Sequence, residues 1–214
     1  MWRNRNTLLF ENTTCTPEIL LERAGFWLHQ YKSAQKISSR CEGQSLEPQP
    51  PDKWQKPSPG TLKLNVDAAV IRGSGFIGAG GIVRNDEGKV LGAFSVKFPG
   101  FFDVLLGELV ALRTGLSFAH DSGFNISEVE GDSLNAIRAV TGLPSPDHAG
   151  TMANDIRRLL ALTGGGSCKY VPRSGNKVAH HLARMAYSVN DDCFWQEDYP
   201  PNIHKYVMAD LASF

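Results

Sequence analysis

The stretch of sequence that decides the fold is TLKLNVDAAV, which occupies residues 61–70. Apolar and polar side chains alternate along it, with Leu62, Leu64 and Val66 on one side of the chain. Alternation at every second residue is typical of a β-strand whose two faces have different surroundings. Asp67 falls on the other side, inside the strand, where aspartate is disfavoured. The pattern predicts a strand in which the acidic residue has a specific structural or functional role.

The segments after this strand predict a sheet with helices on its faces. Residues 75–98 contain two β-rich runs joined by the sequence NDEG at 85–88, a combination typical of a hairpin. Leucines recur at helical steps between 102 and 121, and the segments up to residue 190 predict the order strand, helix, helix, strand, helix. Three strands in hairpins, followed by strands that alternate with helices, indicate an α/β fold with a mixed sheet.

Composition divides the chain into four segments. Residues 1–45 predict a helical appendage that is too short to fold alone. Residues 46–60 hold five of the twelve prolines and predict an extended linker. Residues 61–190 predict the α/β domain, and the aromatic segment 191–214 predicts a C-terminal extension that wraps the surface of that domain.

Bulk composition excludes several classes of protein. The 22 basic and 22 acidic side chains leave no net charge, so the bulk charge does not indicate a polyanionic partner. No apolar run approaches the ~18 residues of a membrane span, and the N-terminus shows no apolar signal segment. The four cysteines form no C-x-x-C pair, which argues against a zinc site. We therefore expect a monomeric, intracellular protein of the nucleus or cytoplasm, neither secreted nor bound to a membrane.

Three acidic residues occupy positions where a charge needs compensation. Asp67 lies inside the first strand, Glu108 beside the leucine stripe of the first helix, and Asp132 at the end of the fourth strand. If they converge, their carboxylates repel one another unless divalent cations neutralise them. Oxygen ligands suit Mg²⁺ or Mn²⁺, and two such ions can activate a water at a phosphodiester. Each residue also has an ordinary alternative: a helix cap for Asp132, a solvated helix residue for Glu108 and a strand-end turn for Asp67.

Five motifs, in order along the chain, give it a resemblance to a known family. It resembles type 1 ribonuclease H, and more closely the ribonuclease H-like domain of plant non-LTR retroelement proteins, which is associated with reverse transcriptases. The resemblance covers roughly residues 54–190 and implies a five-stranded mixed sheet, of order 3-2-1-4-5, flanked by helices. The motifs are KLNVDAAV (63–70), GAGGIVRNDEGKVL (78–91), GELVALRTGL (107–116), VEGDSLNAI (129–137) and VPRSGNKVAHHLAR (171–184).

The resemblance implies an activity, which is divalent-metal-dependent endonucleolytic cleavage of the RNA strand of an RNA–DNA hybrid. It makes Asp67, Glu108 and Asp132 catalytic residues and ligands of two Mg²⁺ ions, with Mn²⁺ as a possible substitute. The family's fourth ligand is an aspartate at the start of the last helix, and here that position is His180. A neutral imidazole brings no negative charge, so we expect His180 to assist catalysis at reduced efficiency.

The resemblance also implies how the hybrid is held. The family recognises the shape of the hybrid and the 2′-hydroxyls of its RNA strand. Carried over to this chain, the substrate contacts are Ala68, Asn85, Ser133 and Asn176. Ala68 replaces the glycine that usually follows the first aspartate, and no basic protrusion is visible. Residues 60–214 carry 14 basic and 16 acidic side chains, so we expect modest affinity.

Two hypotheses stay open beside the enzyme. One is a catalytically weak, retroelement-derived module that binds nucleic acid, which the histidine at position 180 favours and the three retained acids oppose. The other is an interaction domain whose N-terminal helix and aromatic tail bind protein partners. Aromatic residues in tails more often pack on their own domain, so we rank this hypothesis last.

Overall fold

The computed structural model describes residues 52–100, 102–145 and 147–212. The helical appendage predicted for residues 1–45 and the first part of the predicted linker, 46–51, lie outside the described residues. The four-segment division of the chain therefore stays a prediction.

The described elements follow the predicted order and add a strand and a helix after it. The strands are β1 (Leu62–Val70), β2 (Phe76–Asn85), β3 (Val90–Pro99), β4 (Ile126–Gly131), β5 (Ser167–Tyr170) and β6 (Cys193–Gln196). The α-helices are α1 (Val104–Asp121), α2 (Leu134–Thr141), α3 (His148–Leu162), α4 (Lys177–Met185) and α5 (His204–Leu211). Short 3-10 turns at Arg173–Gly175 and Pro201–Ile203 precede α4 and α5.

One mixed sheet organises these elements, in the order β5-β4-β1-β2-β3-β6. The strands β1, β2 and β3 pair antiparallel, whereas β4 pairs parallel with both β1 and β5. The predicted order 3-2-1-4-5 is confirmed, but the predicted count of five is one short. The sixth strand comes from the C-terminal extension, which adds β6 antiparallel to the edge of β3. This pairing satisfies backbone groups that an open edge leaves unpaired.

The apolar face of β1 packs against α1, as the alternation predicts. Leu64 and Val66 are fully buried with Leu109, Leu112 and Leu116. A second apolar cluster lies on the opposite face of the sheet, between β2, β3 and the helices α4 and α5; its buried members are Ile82, Val90, Ala93, Val178, Leu182, Ile203 and Val207. The sheet therefore has helices on both faces.

Glycine lets α4 approach the sheet closely. A Cβ atom built on Gly80 would lie 2.1 Å from the backbone nitrogen of Ala183, and one on Gly78 would lie 2.2 Å from the Ala183 carbonyl oxygen. Only residues without a side chain fit at such a contact. The position of α4, and of every residue on it, depends on this contact.

The polar face of β1 is buried as well. Lys63 donates to Glu130 at 2.6 Å, and the amide of Asn65 donates to the other carboxylate oxygen of Glu130 at 2.9 Å. Buried charges are tolerable only when they are paired and hydrogen-bonded in this way.

The described part of the predicted linker packs on this polar face. Trp54 is fully buried, and its indole nitrogen donates to Asn65 at 2.9 Å. The guanidinium of Arg84 stacks 3.6 Å from the centre of the indole ring and also forms an ion pair with Asp210 of α5 at 2.8 Å. Residues on both sides of the predicted domain thus complete its core.

Among the residues that the structure describes, no helix combines the length and apolar character that crossing a bilayer requires.

Candidate active site

Three elements bring the predicted acidic residues together at the C-terminal ends of β1 and β4. Asp67 lies near the end of β1, and Asp132 directly follows β4, which runs parallel to β1 and pairs with it. Glu108 lies in the second turn of α1, whose start is fixed by Asp103: its side chain accepts a hydrogen bond from the backbone of Leu106 at 2.8 Å. Gly107 permits close packing here, because a Cβ atom at this position would lie 2.9 Å from Val70.

The three carboxylates converge as predicted. One ligand oxygen from each of Asp67, Glu108 and Asp132 lies within 4.8 Å of the other two. Asp67 and Glu108 are buried and Asp132 is half-buried. A divalent cation between them could be bound by all three carboxylates.

Burial and mutual repulsion raise the pKa values of two of these acids. Burial raises the pKa of Glu108 to about 9, and the charges of Asp67 and Asp132 add to the effect. Burial likewise raises the pKa of Asp132 to about 7, together with the charge of Asp67 and a hydrogen bond to it. Near neutral pH the cluster therefore retains protons that a divalent cation would displace.

His180 occupies the predicted fourth position and contacts the cluster. Its Nδ1 lies 2.7 Å from a carboxylate oxygen of Asp67, so a proton at Nδ1 is donated to that oxygen. Arg173, in the turn before α4, places a guanidinium nitrogen 3.2 Å and 3.1 Å from the two ring nitrogens of His180. The imidazole therefore contacts both a carboxylate and a cation.

A cavity of about 350 Å³ opens over the four residues. Its polar lining includes two arginines, Arg173 and Arg184, which the sequence did not single out. Their positions in the turn before α4 and on its last-but-one residue carry no distinctive sequence signal, because an arginine there is also an ordinary surface residue. Ile71 and Val104 contribute apolar groups to the lining of the same cavity.

Two of the four predicted substrate contacts line this cavity. Ala68 follows Asp67 on β1, and Ser133 follows Asp132. Ser133 is also the N-cap of α2, since its side chain accepts a hydrogen bond from the backbone of Ala136 at 3.4 Å. The capping role considered for Asp132 therefore belongs to its neighbour, and the carboxylate of Asp132 is available to the cluster.

The other two residues predicted to contact substrate, Asn85 and Asn176, are not among the residues that line this cavity, and their role as substrate contacts stays a prediction. Asn85 pairs with Leu62 at the opposite end of β1 from Asp67, and its side chain accepts hydrogen bonds from the turn that joins β2 to β3. Asn176 is buried, and its amide donates to the backbone of Val66 at 2.8 Å. Both side chains serve the fold, because a turn and a buried carbonyl use their hydrogen-bonding groups.

Comparisons with known proteins show a family match and similar solved structures. A family model described as reverse transcriptase-like matches residues 65–186. Ribonuclease H1 from the halophilic archaeon Halobacterium salinarum NRC-1 is 26% identical with a TM-score of 0.55, over 60% of this chain and 98% of that one. LC11-RNase H1, solved in complex with an RNA/DNA hybrid, is 18% identical with a TM-score of 0.53, over 60% of this chain and 97% of that one. A search of curated proteins found no match.

A viral structure shares the fold as part of a larger chain. The foamy viral protease–reverse transcriptase, solved in complex with an RNA/DNA hybrid, is 15% identical with a TM-score of 0.51. The match covers 69% of this chain and 22% of the viral one.

Proposed function

The chain belongs to the reverse transcriptase-like family, and we propose that it is a divalent-metal-dependent nuclease that cleaves the RNA strand of RNA–DNA hybrids. Family membership confirms the predicted ribonuclease H-like domain. The plant retroelement origin, the monomeric state and the nuclear or cytoplasmic location stay predictions from the sequence.

The observation that carries the proposal is the convergence of three carboxylates within 4.8 Å. All three donors are oxygen atoms, which is the donor set that Mg²⁺ and Mn²⁺ prefer over softer metals. The raised pKa values of Glu108 and Asp132 also support a cation site. They indicate that neither carboxyl group has a cationic neighbour that fully compensates its negative charge. The residues present therefore fit the metal that the family implies.

Asp67, Glu108 and Asp132 would hold one or two such ions. Bound there, the metal supplies an activated water and stabilises the charge on the leaving oxygen of a phosphodiester. Arg173 and Arg184, which line the cavity, would attract the anionic phosphate. With a proton at Nδ1, His180 would donate to Asp67, orient that carboxylate and be able to move a proton at the cavity wall.

The choice of an RNA–DNA hybrid as substrate rests on similarity. Two of the similar solved structures are complexes with such hybrids. In this chain Ala68 and Ser133 line the cavity and would contact the strand beside the scissile phosphate.

His180 supports a second candidate function, a nucleic-acid-binding module with weak catalysis. A histidine in place of a fourth acid lowers the negative charge available to hold a second cation. This candidate shares the fold and the cavity with the first and differs only in turnover.

Incubation of the purified protein with a labelled RNA–DNA hybrid in Mg²⁺, Mn²⁺ or EDTA tests the proposal. We expect cleavage of the RNA strand in either metal and none in EDTA. The variant Asp67→Asn should lose activity by a factor of about 100 or more, since it removes a charge at the reacting centre. Asp121→Asn, a matched change at the exposed end of α1, should retain it.

The outcomes separate the candidates. Hybrid binding without cleavage in either metal supports the weak module. Cleavage that survives in Asp67→Asn contradicts the proposed centre, and neither binding nor cleavage leaves the interaction domain as the remaining hypothesis.

A further inference from the structure

We propose that a second cavity, beside the candidate active site, binds backbone phosphates of the same nucleic-acid substrate. This inference rests on the proposed function and names how the substrate is gripped. The cavity has a volume of about 520 Å³ and is lined chiefly by Lys53, Ser174, Lys177, Lys205, Tyr206 and Asp210. We refer to it as the lysine cavity.

The charge of the lysine cavity is positive on a domain that is otherwise slightly acidic. Lys53, Lys177 and Lys205 are exposed, and none forms an ion pair with another residue in the described ranges. The carboxylate of Asp210, which also lines the cavity, is paired with Arg84 at 2.8 Å. Lys177 also interacts electrostatically with this carboxylate. The three lysines share one concave surface, where a bound anion would reduce the repulsion between their charges.

Hydroxyl groups complete a surface suited to phosphate. Ser174 and Tyr206 line the lysine cavity, and within the described part of the chain neither hydroxyl has a hydrogen-bond partner. Phosphate oxygens accept hydrogen bonds from ammonium and hydroxyl groups, without regard to the base that the phosphate carries. The ligand class is therefore a phosphodiester backbone of any sequence.

Two structural links join the lysine cavity to the candidate active site. Ser174 lines the lysine cavity, whereas the preceding residue, Arg173, lines the active-site cavity. On α4, Lys177 and Arg184 are two helical turns apart on one face and likewise line the two cavities. Seven helical residues span about 10 Å, which is roughly three nucleotide steps along a duplex strand. A strand that passes Arg184 in the active-site cavity can thus reach Lys177 in the lysine cavity.

The lysines come partly from segments that flank the family match. Lys53 precedes the matched residues 65–186, and Lys205 follows them on α5. His181 holds α5 in place beside α4, since its ring stacks on Tyr206 with centroids 3.7 Å apart. The buried Trp54 fixes the segment that carries Lys53. These flanking segments therefore supply basic groups to a domain in which no basic protrusion was found by sequence.

Salt-dependent binding of a fluorescent RNA–DNA hybrid tests the inference. The proteins carry Asp67→Asn so that the substrate is not cut, and anisotropy gives the binding constant at several NaCl concentrations in Mg²⁺. The test variant adds Lys177→Gln and Lys205→Gln, and the matched control adds Lys89→Gln and Arg158→Gln, two exposed basic residues on other surfaces.

We expect the test variant to bind roughly tenfold more weakly at physiological salt. The slope of log K against log salt should become shallower by about 1.8, because two phosphate contacts are lost. The control pair should leave slope and affinity near those of the parent. Equal slopes for the test and control variants would overturn the inference while leaving cleavage by the wild-type protein intact.

Two further results would also overturn it. If wild-type protein neither binds nor cleaves the hybrid, the proposed function fails and the inference fails with it. If the test variant binds the hybrid normally but loses binding to phosphatidylserine vesicles, the lysine cavity recognises a lipid surface instead.

Discussion

Glu108 is a residue of the candidate site that lowers the stability of the fold. Its carboxyl group is buried, and the charges of Asp67 and Asp132 face it. A side chain in such a position stabilises the folded chain least when it is ionised and no cation is present. The acidic cluster is therefore a local source of instability that binding of a divalent cation should relieve.

The pH dependence of stability follows from this repulsion. The pKa of Glu108 is raised to about 9 and that of Asp132 to about 7, so the folded chain binds more protons than the unfolded chain at intermediate pH. Stability in EDTA should therefore be greatest in mild acid and fall as pH rises towards 9. The midpoint of thermal unfolding, followed by circular dichroism from pH 5 to 9, measures this.

Glu108→Gln isolates the contribution of one carboxyl group. The variant should unfold at least about 3 °C above the wild type at pH 8.5 in EDTA, because the wild-type carboxyl group must either stay protonated far above its usual pKa or bury its charge, and a neutral amide does neither. Added Mg²⁺ should raise the wild-type midpoint and leave the variant nearly unchanged. Glu87→Gln, in an exposed turn, is the matched control. Parallel pH profiles for Glu108→Gln and wild type would contradict the assigned repulsion.

His180 offers a test of the fourth position. Replacing it with aspartate adds a carboxylate next to Asp67 and should tighten Mg²⁺ binding about tenfold or more, since one added charge at this distance is worth over 1 kcal/mol. Isothermal titration calorimetry on metal-free protein measures the change. His148→Asp, exposed at the start of α3, should have no effect. Unchanged Mg²⁺ affinity in His180→Asp would place the fourth position outside the metal centre.

At the scale of elements, α4 is positioned by glycines of β2. A methyl group at Gly80 would overlap the backbone of Leu182 and Ala183, which cannot yield as a flexible side chain does. Gly80→Ala should therefore lower the free energy of unfolding by about 1–3 kcal/mol, measured by urea denaturation. Gly131→Ala is the control, because its added methyl would meet neighbours only at 3.8 Å. Equal stability of the two variants would show that α4 does not rest on Gly80.

The segment before β1 behaves as part of the domain rather than as a spacer. Trp54→Ala should cost about 3–5 kcal/mol in urea denaturation, because a fully buried indole is lost together with its contacts to Arg84 and Asn65. Gln55→Ala, one residue away and exposed, should cost little. A small loss in Trp54→Ala would contradict the packing described for this segment.

Viewed across the whole molecule, features with local signals could be predicted from the sequence. The alternation in β1 predicted a buried face and a polar face, and out-of-place acids at Asp67, Glu108 and Asp132 predicted the cluster. The features that sequence reasoning missed depend on tertiary contacts. The strand β6 is only four residues long, too short to show alternation, and it exists because β3 offers an edge. Trp54 lies among prolines, and its burial depends on contacts with Asn65 and Arg84, which are distant from it in the sequence.

The charges of this chain, which has no net charge, are distributed unevenly. Three of the 22 acids meet at the candidate centre, whereas three exposed lysines line a neighbouring cavity. A balanced total thus conceals an uneven distribution, with the negative charge placed where a divalent cation would neutralise it. Affinity for the substrate should accordingly depend on metal and on salt.

A metal-dependent nuclease centre at the three carboxylates is tested most directly by the initial rate of RNA-strand cleavage in an RNA–DNA hybrid during a Mg²⁺ titration. We predict a rate that rises from zero with Mg²⁺, saturates and returns to zero with EDTA in the wild-type protein, and that stays about 100-fold lower or more in Asp132→Asn. A wild-type rate that does not depend on Mg²⁺, or an Asp132→Asn rate equal to it, would contradict a metal-dependent nuclease at these carboxylates.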